Sequence, residues 1–387
     1  MPIETILEWL FWVSLFAVAY SYALYPLVLT LWSSALGEAP RVAKATLPQP
    51  VDVACVVSAY NEERHVVARV RNFLAQRYKG GSLRVYIGSD GSEDATPRLL
   101  AEVASDQVIA FPFELNRGKS SVLNDLVSAS REPIMVFSDA NTMFEPDAIE
   151  RLVSHFDDPE VGAVSGELRL LDSRGDNQDS VYWRIEQYLK RREAMIGGLL
   201  GANGGIYAIR RELYRALPPD TIIDDFCIAM NVVVQGKRLV YDPTAIAIED
   251  TPDNIQDEYK RRIRIGIGNF QAFFRHPEYF LRTNWATRFT YVSHKVLRWF
   301  TPHLLGVALI CSWWLARSSG FFLLLACLQS ALYVAALLRQ WTGASFALPR
   351  PVNLLVFFLT LNWAFMVAFW RYVTGRYSGS WRRTERT

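Results

Sequence analysis

Carboxylates set directly after apolar runs dominate the chemistry this chain offers. Ser89-Asp90-Gly91-Ser92, Ser138-Asp139-Ala140-Asn141 and Ile223-Asp224-Asp225-Phe226 each follow a stretch that reads as a buried β-strand. Each carboxylate therefore sits where a strand ends and a cleft opens. Asp139 and Asn141 lie two apart on an extended segment, so both can face one pocket and share a hard divalent ion, Mg2+ or Mn2+, with a diphosphate. Asn141 offers a neutral carbonyl where a carboxylate would bind a metal more strongly; a turn with Asn141 capping the next helix is the plain alternative. Asp224 and Asp225 are adjacent at the start of a predicted helix. Their repulsion favours a raised pKa on one of them and a general-base role, with a helix cap as the alternative. Asp90 can accept from a nucleobase N–H or a ribose hydroxyl, or simply cap the helix behind it, with Asp94 as a further cap.

Other polar segments lie around these stations. Val57-Ser58-Ala59-Tyr60-Asn61-Glu62-Glu63 closes the first strand and opens a helix, whose free N–H groups suit an anion or a nucleotide carbonyl. The competing reading makes Asn61 an ordinary N-cap. Asn116-Arg117-Gly118-Lys119 offers backbone N–H groups and the Lys119 cation to phosphate. Gly201-Ala202-Asn203-Gly204-Gly205 lets a substrate approach the backbone closely, which makes Asn203 an acceptor-binding candidate. Arg261 and Arg264 share a helix face at i and i+3, where a pyrophosphate clamp competes with lipid-headgroup contact.

The elements that must position these groups follow from hydropathy. Val51–Ser58, Leu83–Ser89, Val108–Phe113 and Ile134–Ser138 read as strands, with Glu62–Gln76, Ala95–Ala104, Lys119–Ala129 and Pro146–Phe156 as the helices between and after them. The alternation predicts an α/β fold: a mostly parallel sheet flanked by helices, with ligands at the carboxyl ends of its strands. Val161–Leu171 predicts a long strand, Ser180–Ile196 a polar helix and Gly204–Ile209 a further strand. No G-x-G-x-x-G follows the first strand, which argues against a dinucleotide site.

Apolar segments flank this domain. Trp9–Trp32 carries no charge and is long enough to cross about 30 Å of hydrocarbon. It is read as a transmembrane helix rather than a cleavable signal, because the residues ahead of it are acidic. The organisation expected is an N-terminal transmembrane helix over 1–36, a linker over 37–50, the α/β domain over 51–253 and interfacial amphipathic helices over 254–298. C-terminal transmembrane helices over 299–374 and a basic tail over 375–387 complete it. Trp299–Ala316, Gly320–Leu338 and Val352–Val373 are the three C-terminal spans expected; the first is short and broken by Pro302, and the arginines of the tail favour the alternative in which it is re-entrant or interfacial and only two spans follow the domain.

Composition bounds the rest. The 387 residues accommodate one α/β domain with spans, not two large enzymatic domains. A formal net charge of +2 argues against bulk nucleic-acid binding. Twelve Trp and seventeen Tyr gather near the apolar segments, as interfacial belts do. Cys55, Cys227, Cys311 and Cys327 match neither a zinc site nor a disulfide framework; all four read as small core residues, in keeping with a reducing, cytosolic domain.

Taken in this order, the motifs resemble the inverting family 2 glycosyltransferases of GT-A fold, the group that includes cellulose, chitin, hyaluronan and poly-N-acetylglucosamine synthases. The resemblance runs from about Val51 to Phe274, and the flanking spans are similar to those of its membrane-bound branch. It implies transfer of a sugar from a nucleotide-diphosphate donor, UDP-linked, to a polysaccharide or glycan acceptor, with Mg2+ or Mn2+. Tyr60, Glu62 and Asp90 would hold the nucleotide, Asp139 the nucleotide and the metal, and Asn141 would replace the second Asp of the family as metal ligand. Asp225 takes the place of the catalytic base, and Asp224 stands where the family usually has Glu. Arg261 to Ile265 occupies the place of the Q/R-x-x-R-W motif: Arg264 is retained for the pyrophosphate, while Ile265 replaces the Trp that stacks on the acceptor sugar in processive members. The resemblance further implies an integral protein of the bacterial inner membrane with a cytoplasmic catalytic domain and membrane lipids as partners. A monoglycosyltransferase with a lipid-linked acceptor needs the same donor site. A transporter with a nucleotide-sensing domain is disfavoured by the few ionisable residues inside the spans.

Overall fold

A computed structural model describes residues 2–37, 50–171, 181–250, 255–342 and 350–377. Most of the expected linker (37–50) and of the basic tail (375–387) lies outside the described residues. The chain divides into two compact units. One is helical and gathers the residues up to Val28 with Ile255–Phe273 and Tyr291–Tyr377; the other holds the sheet, in Leu29–Asn254 with Phe274–Thr290.

In the helical unit, three helices among the described residues are long and apolar enough to cross a membrane: Ile3–Ala35, Gly320–Leu338 and Pro351–Val373. The expected span Trp299–Ala316 differs. The helix there is Thr301–Leu315, 15 residues, which reach roughly 22 Å at 1.5 Å each and fall short of the hydrocarbon thickness. It joins Trp285–Trp299 at a 60° bend, and only if that pair counts as one broken span does the number rise to four. Cys327 is exposed, on a span-length helix, which corrects its reading as a core residue; Cys55, Cys227 and Cys311 are buried.

Pro26 explains a local irregularity in the first helix. Proline has no N–H to donate one turn back, and the chain accommodates it with a π-turn over Tyr20–Leu24. A second π-turn spans Tyr291–Val296. The two turns meet: Ser21 Oγ donates to the Ser293 carbonyl at 2.9 Å, and the Tyr20 and Ser293 hydroxyls are 2.9 Å apart.

The sheet unit carries β1 (Val53–Ala59), β2 (Leu83–Asp90), β3 (Val108–Phe113), β4 (Ile134–Phe137), β5 (Thr142–Phe144), β6 (Val161–Leu171), β7 (Tyr207–Arg210) and β8 (Arg238–Asp250). They form one sheet in the order β3-β2-β1-β4-β7-β6-β8-β5. The half from β3 to β4 is parallel; in the other half β7 runs antiparallel to β4 and β6, β8 is parallel to β6, and β5 is antiparallel to β8. All seven residues of β1 are buried, as a central parallel strand covered on both faces requires. Helices Val66–Leu74, Thr96–Val103, Lys119–Ala129 and Ala148–Ser154 connect or follow the strands as the alternation predicts. Val70, Phe73, Leu100, Ile149 and Leu152 from these helices pack with Val53, Val57, Val85, Ile87 and Val136 in one core, where each such side chain contributes about 1.5–3 kcal/mol by leaving water.

β5 matters most for the site, because it begins directly after Asn141 and forms the edge of the sheet. Its open edge is closed by a side chain. Asn72 donates to the Phe144 carbonyl at 2.9 Å and accepts from the Phe144 N–H at 2.9 Å, imitating a neighbouring strand. Arg69, fully buried, donates to the Asn72 side-chain oxygen at 2.6 Å, with its guanidinium 3.5 Å from the Phe73 ring centre and 4.2 Å from that of Phe144. Replacing Asn72 with Ala leaves both Phe144 backbone groups without this partner. The expected outcome for Asn72→Ala is a loss of about 1–3 kcal/mol, measured as a lower unfolding midpoint of the purified protein.

Candidate active site

The segment that closes the first strand is joined to the Asp90 station before any ligand is considered. Asn61 lies in the left-handed region with φ 54°, four residues ahead of the helix N-cap at His65. It is therefore not the N-cap of that helix. Its N–H donates to Ser92 Oγ at 3.0 Å and its side-chain oxygen accepts from the Glu93 N–H at 2.8 Å. The Glu62 N–H donates to Thr96 Oγ1 at 2.8 Å, and the Glu62 carboxylate, buried, lies 2.8 Å from His65 Nδ1. Asp94 takes the capping role expected of it, accepting from the Thr96 N–H at 2.9 Å. Tyr60 stays half-buried at the end of this junction.

Asp90 is 1% exposed, and its two carboxylate oxygens accept from the Arg117 N–H at 2.8 Å and the Gly118 N–H at 2.9 Å. The capping alternative weighed for it from sequence placed its partner in the following helix; the partner is instead the loop that opens the helix Lys119–Ala129. Gly91 makes room for that loop: its φ is +66°, and a Cβ there would stand 2.3 Å from the Asn116 nitrogen. Asp90 thus fixes the residue that follows, Lys119.

Lys119 brings the remaining stations together. Its Nζ donates to Asp139 Oδ1 at 2.8 Å and lies 3.1 Å from Asp224 Oδ2. Burial alone would depress the Lys119 pKa, but the charges of Asp139, Asp224 and Asp225 outweigh it and hold the ammonium above its usual range. Asp139 lies two residues past the end of β4 and is half-exposed; Ser138 beside it donates to the Gly205 carbonyl at 2.7 Å. Asn141 donates its amide to Glu249 Oε1 at 3.2 Å. Glu249 comes from β8, where it pairs in register with Thr142.

Asp224 and Asp225 open the helix Asp224–Val234 as expected. The Asp225 carboxylate accepts from the Phe226 N–H at 2.8 Å. Enclosure by protein and then the neighbouring Asp224 push its pKa up to about 6, against the opposing pull of Lys119, the Phe226 N–H and Lys190. Gly204 faces it: a Cβ there would lie 3.0 Å from Asp225 Oδ2. Tyr207 stacks on Phe137 with ring centres 4.9 Å apart, and burial together with Asp224 and Asp225 raises its hydroxyl well above the usual value, so it stays neutral.

Asn203 is buried and committed to scaffold contacts. Its side-chain N–H donates to the Gly166 carbonyl at 2.5 Å, its backbone N–H to Ser165 Oγ at 2.9 Å, and its side-chain oxygen accepts from Lys190. Lys190, on the helix Val181–Met195, is thereby brought towards Asp225. Further along, Thr290 donates to the Gly198 carbonyl at 2.6 Å, tying the segment that leads to Asn203 to the helix Trp285–Thr290. Arg261, half-buried, and Arg264, exposed, lie on the helix Ile255–Arg275, in its portion belonging to the helical unit. Two groups escaped the sequence reading: Glu249 and Lys190. Glu249 had a usable signal, since Ala245-Ile246-Ala247-Ile248-Glu249 repeats the apolar-run-then-acid pattern of the other stations.

Oxygen donors from Asp139 and Asn141 fit Mg2+ or Mn2+, ions that take one or two carboxylates and complete their shell with phosphates and water. No group of three or more His, Cys, Asp or Glu residues that could hold a metal occurs among the described residues. The Lys119 ammonium on Asp139 already marks the place as one that attracts a cation.

Residues 54–217 match the family described as Glycosyl transferase family 2. Poly-beta-1,6-N-acetyl-D-glucosamine synthase of Staphylococcus aureus (strain COL) is 24% identical over 231 residues, which are 58% of this chain and 56% of that protein. The synthase of the same name from Staphylococcus epidermidis is 23% identical over 240 residues, 60% of this chain and 58% of that protein. The chain thus spans a little over half the length of the curated relatives it matches. Among solved structures, the mannosyltransferase PcManGT from Pyrobaculum calidifontis, in complex with GDP-Man and Mn2+, aligns with a TM-score of 0.68 at 21% identity, covering 95% of this chain and 100% of that one. That likeness shows the fold, a mixed α/β sheet of GT-A type with flanking helices. The match over residues 54–217 makes that stretch, which contains Asp90, Lys119 and Asp139, similar to glycosyl transferase family 2.

Proposed function

We propose that the protein is an inverting, membrane-bound glycosyltransferase that moves a sugar from a nucleotide-diphosphate donor, UDP-linked, to a glycan acceptor. The observation that carries this reading is the division of labour within the Asp224-Asp225 pair. Asp224 is paired with the Lys119 ammonium, while Asp225 faces the glycine loop with a raised pKa. One carboxylate is engaged by an ammonium and the other is set up to take a proton.

In the reaction, Asp225 removes the proton from an acceptor hydroxyl as its oxygen forms a bond to the anomeric carbon from one face. The bond from that carbon to the diphosphate oxygen breaks on the opposite face, and the electron pair leaves with the nucleoside diphosphate. A divalent ion held by Asp139 and Asn141 would, when bound, neutralise charge on that diphosphate. Tyr60, Glu62 and the loop anchored by Asp90 are assigned to the nucleotide, with Asp90 acting through Arg117 and Gly118 because its oxygens are already engaged. Lys119, Arg261 and Arg264 are assigned to the phosphates. Asn203 is assigned to the acceptor side through Lys190, whose ammonium it positions. The relatives' name, poly-beta-1,6-N-acetyl-D-glucosamine synthase, supports a glycan acceptor. A lipid-linked acceptor is the second reading, supported by Ile265 in place of an acceptor-stacking Trp. Three span-length helices support a membrane location, assigned to the bacterial inner membrane with the catalytic domain cytoplasmic.

Asp225→Asn keeps the size of the side chain but cannot take the proton. It is expected to bind the nucleotide sugar with unchanged affinity while transfer falls by about 10²–10⁴-fold; turnover like that of the wild type would sink the assignment. The pH profile tests the same group in the native enzyme. A base whose pKa is raised is deprotonated above about 6 and protonated below it, so kcat/KM is expected to be flat above that pH and to drop about tenfold for each unit below. The carboxylate of Asp224 and the ammonium groups of Lys119 and Lys190 face Asp225 and set this midpoint, and Tyr207 stays neutral throughout. With labelled donor, a ladder of products identifies a polymerase and a single chloroform-soluble product a lipid transferase.

A further inference from the structure

Asn141 poses a chemical problem, because its side chain presents an N–H2 face and an oxygen face, and only the oxygen binds a cation. A carboxylate at this position would have oxygen on both sides and need no orienting. The structure contains a group that resolves the ambiguity. The Asn141 amide N–H points at Glu249 Oε1, 3.2 Å away, which leaves its oxygen directed elsewhere. Glu249 is held for this purpose by the backbone, in register opposite Thr142 on the antiparallel pair β5 and β8. β5 is itself fixed from its other edge by Asn72. Both residues are half-buried, so solvent competes only in part for the contact.

We propose that Glu249 is a positioning residue that makes Asn141 a competent metal ligand: by accepting the amide N–H it turns the Asn141 oxygen towards the divalent ion, and it returns to the site the carboxylate charge that Asn141 lacks. The inference rests on the reading of Asp139 and Asn141 as metal ligands. Glu249 acts behind the ligand, as carboxylates behind metal-binding histidines do, where loss of such a partner weakens metal affinity about 10–100-fold.

The test is Mn2+ binding to the full-length protein in lipid nanodiscs with UDP present, read by the electron paramagnetic resonance signal of free Mn2+. Glu249→Ala is expected to weaken binding by at least about tenfold. Adding Asn141→Asp to that variant is expected to restore affinity to within about threefold of wild type, because a carboxylate needs no orienting partner. Wild-type affinity in Glu249→Ala, or a loss that Asn141→Asp leaves unrepaired, would overturn the proposal; the second result would make Glu249 a merely structural residue of the strand. If Glu249→Ala does not fold, Glu249→Gln takes its place, since two facing amides no longer fix each other's direction, and the same loss and rescue are expected. Asp139→Asn separates the two levels of the reading. Mn2+ binding that is unaffected by Asp139→Asn contradicts the metal site itself, whereas binding lost in Asp139→Asn but intact in Glu249→Ala contradicts only the role of Glu249.

Discussion

Three carboxylates converge on one partly enclosed place, and the Lys119 ammonium between two of them, with Lys190 near the third, makes this tolerable. Lys119 lies between Asp139 and Asp224 at 2.8 and 3.1 Å, with Asp225 next along the chain. At about 4 Å and the effective screening typical near a protein surface, each pair of unit charges interacts by about 4 kcal/mol. The two attractions at shorter range oppose the repulsion between the acids, while enclosure by protein and then the neighbouring Asp224 raise the pKa of Asp225 against the pull of Lys119. Without Lys119 the acids would repel one another in a partly dry site, and the difference between the held acid and the proton-accepting acid would be lost.

The position of that ammonium is inherited from the first half of the sheet. Asp90 ends β2 and grips the amides of Arg117 and Gly118, which places Lys119 at the first turn of its helix. Gly91 leaves space for the gripped loop. On the other side, Ser138 ties the end of β4 to Gly205, and Gly204 leaves space for Asp225. The ends of β2 and β4, the helix at Lys119, the glycine loop and the helix at Asp224 thus form a closed set of contacts.

Much of this was legible in the sequence wherever one physical signal dominated. Continuous apolar runs marked β1, β2, β3, β4 and β6, and the helix Lys119–Ala129 was read to its observed ends because its capping glycine and amphipathic period agree. β5 escaped because three residues are too few for any period to show, and β8 because Pro243 lies inside it, where a strand normally excludes proline. Missing β8 meant missing Glu249. Asn61 was open to misreading as a helix cap because its composition fits one; only the left-handed backbone shows that it serves the neighbouring loop instead. The metal, nucleotide and base candidates came from residue type and spacing together with the family resemblance. What spacing could not reveal was which polar groups were already occupied: both oxygens of Asp90, and the whole side chain of Asn203. The apolar run at Trp299–Ala316 likewise held the right composition for a span, but the helix breaks before Thr301.

The central claim is that one cation, Lys119, couples the diphosphate end of the site to the base. Its most direct measurement is nucleoside-diphosphate release by full-length Lys119→Met in nanodiscs, at saturating donor, acceptor and Mn2+, beside the wild type. The account predicts that release falls on the order of a hundredfold, equivalent to about 2.7 kcal/mol of lost transition-state stabilisation, and that additional Mn2+ does not restore it. Release within threefold of wild type would contradict the account, because the carboxylates would then be shown to work without the ammonium that joins them.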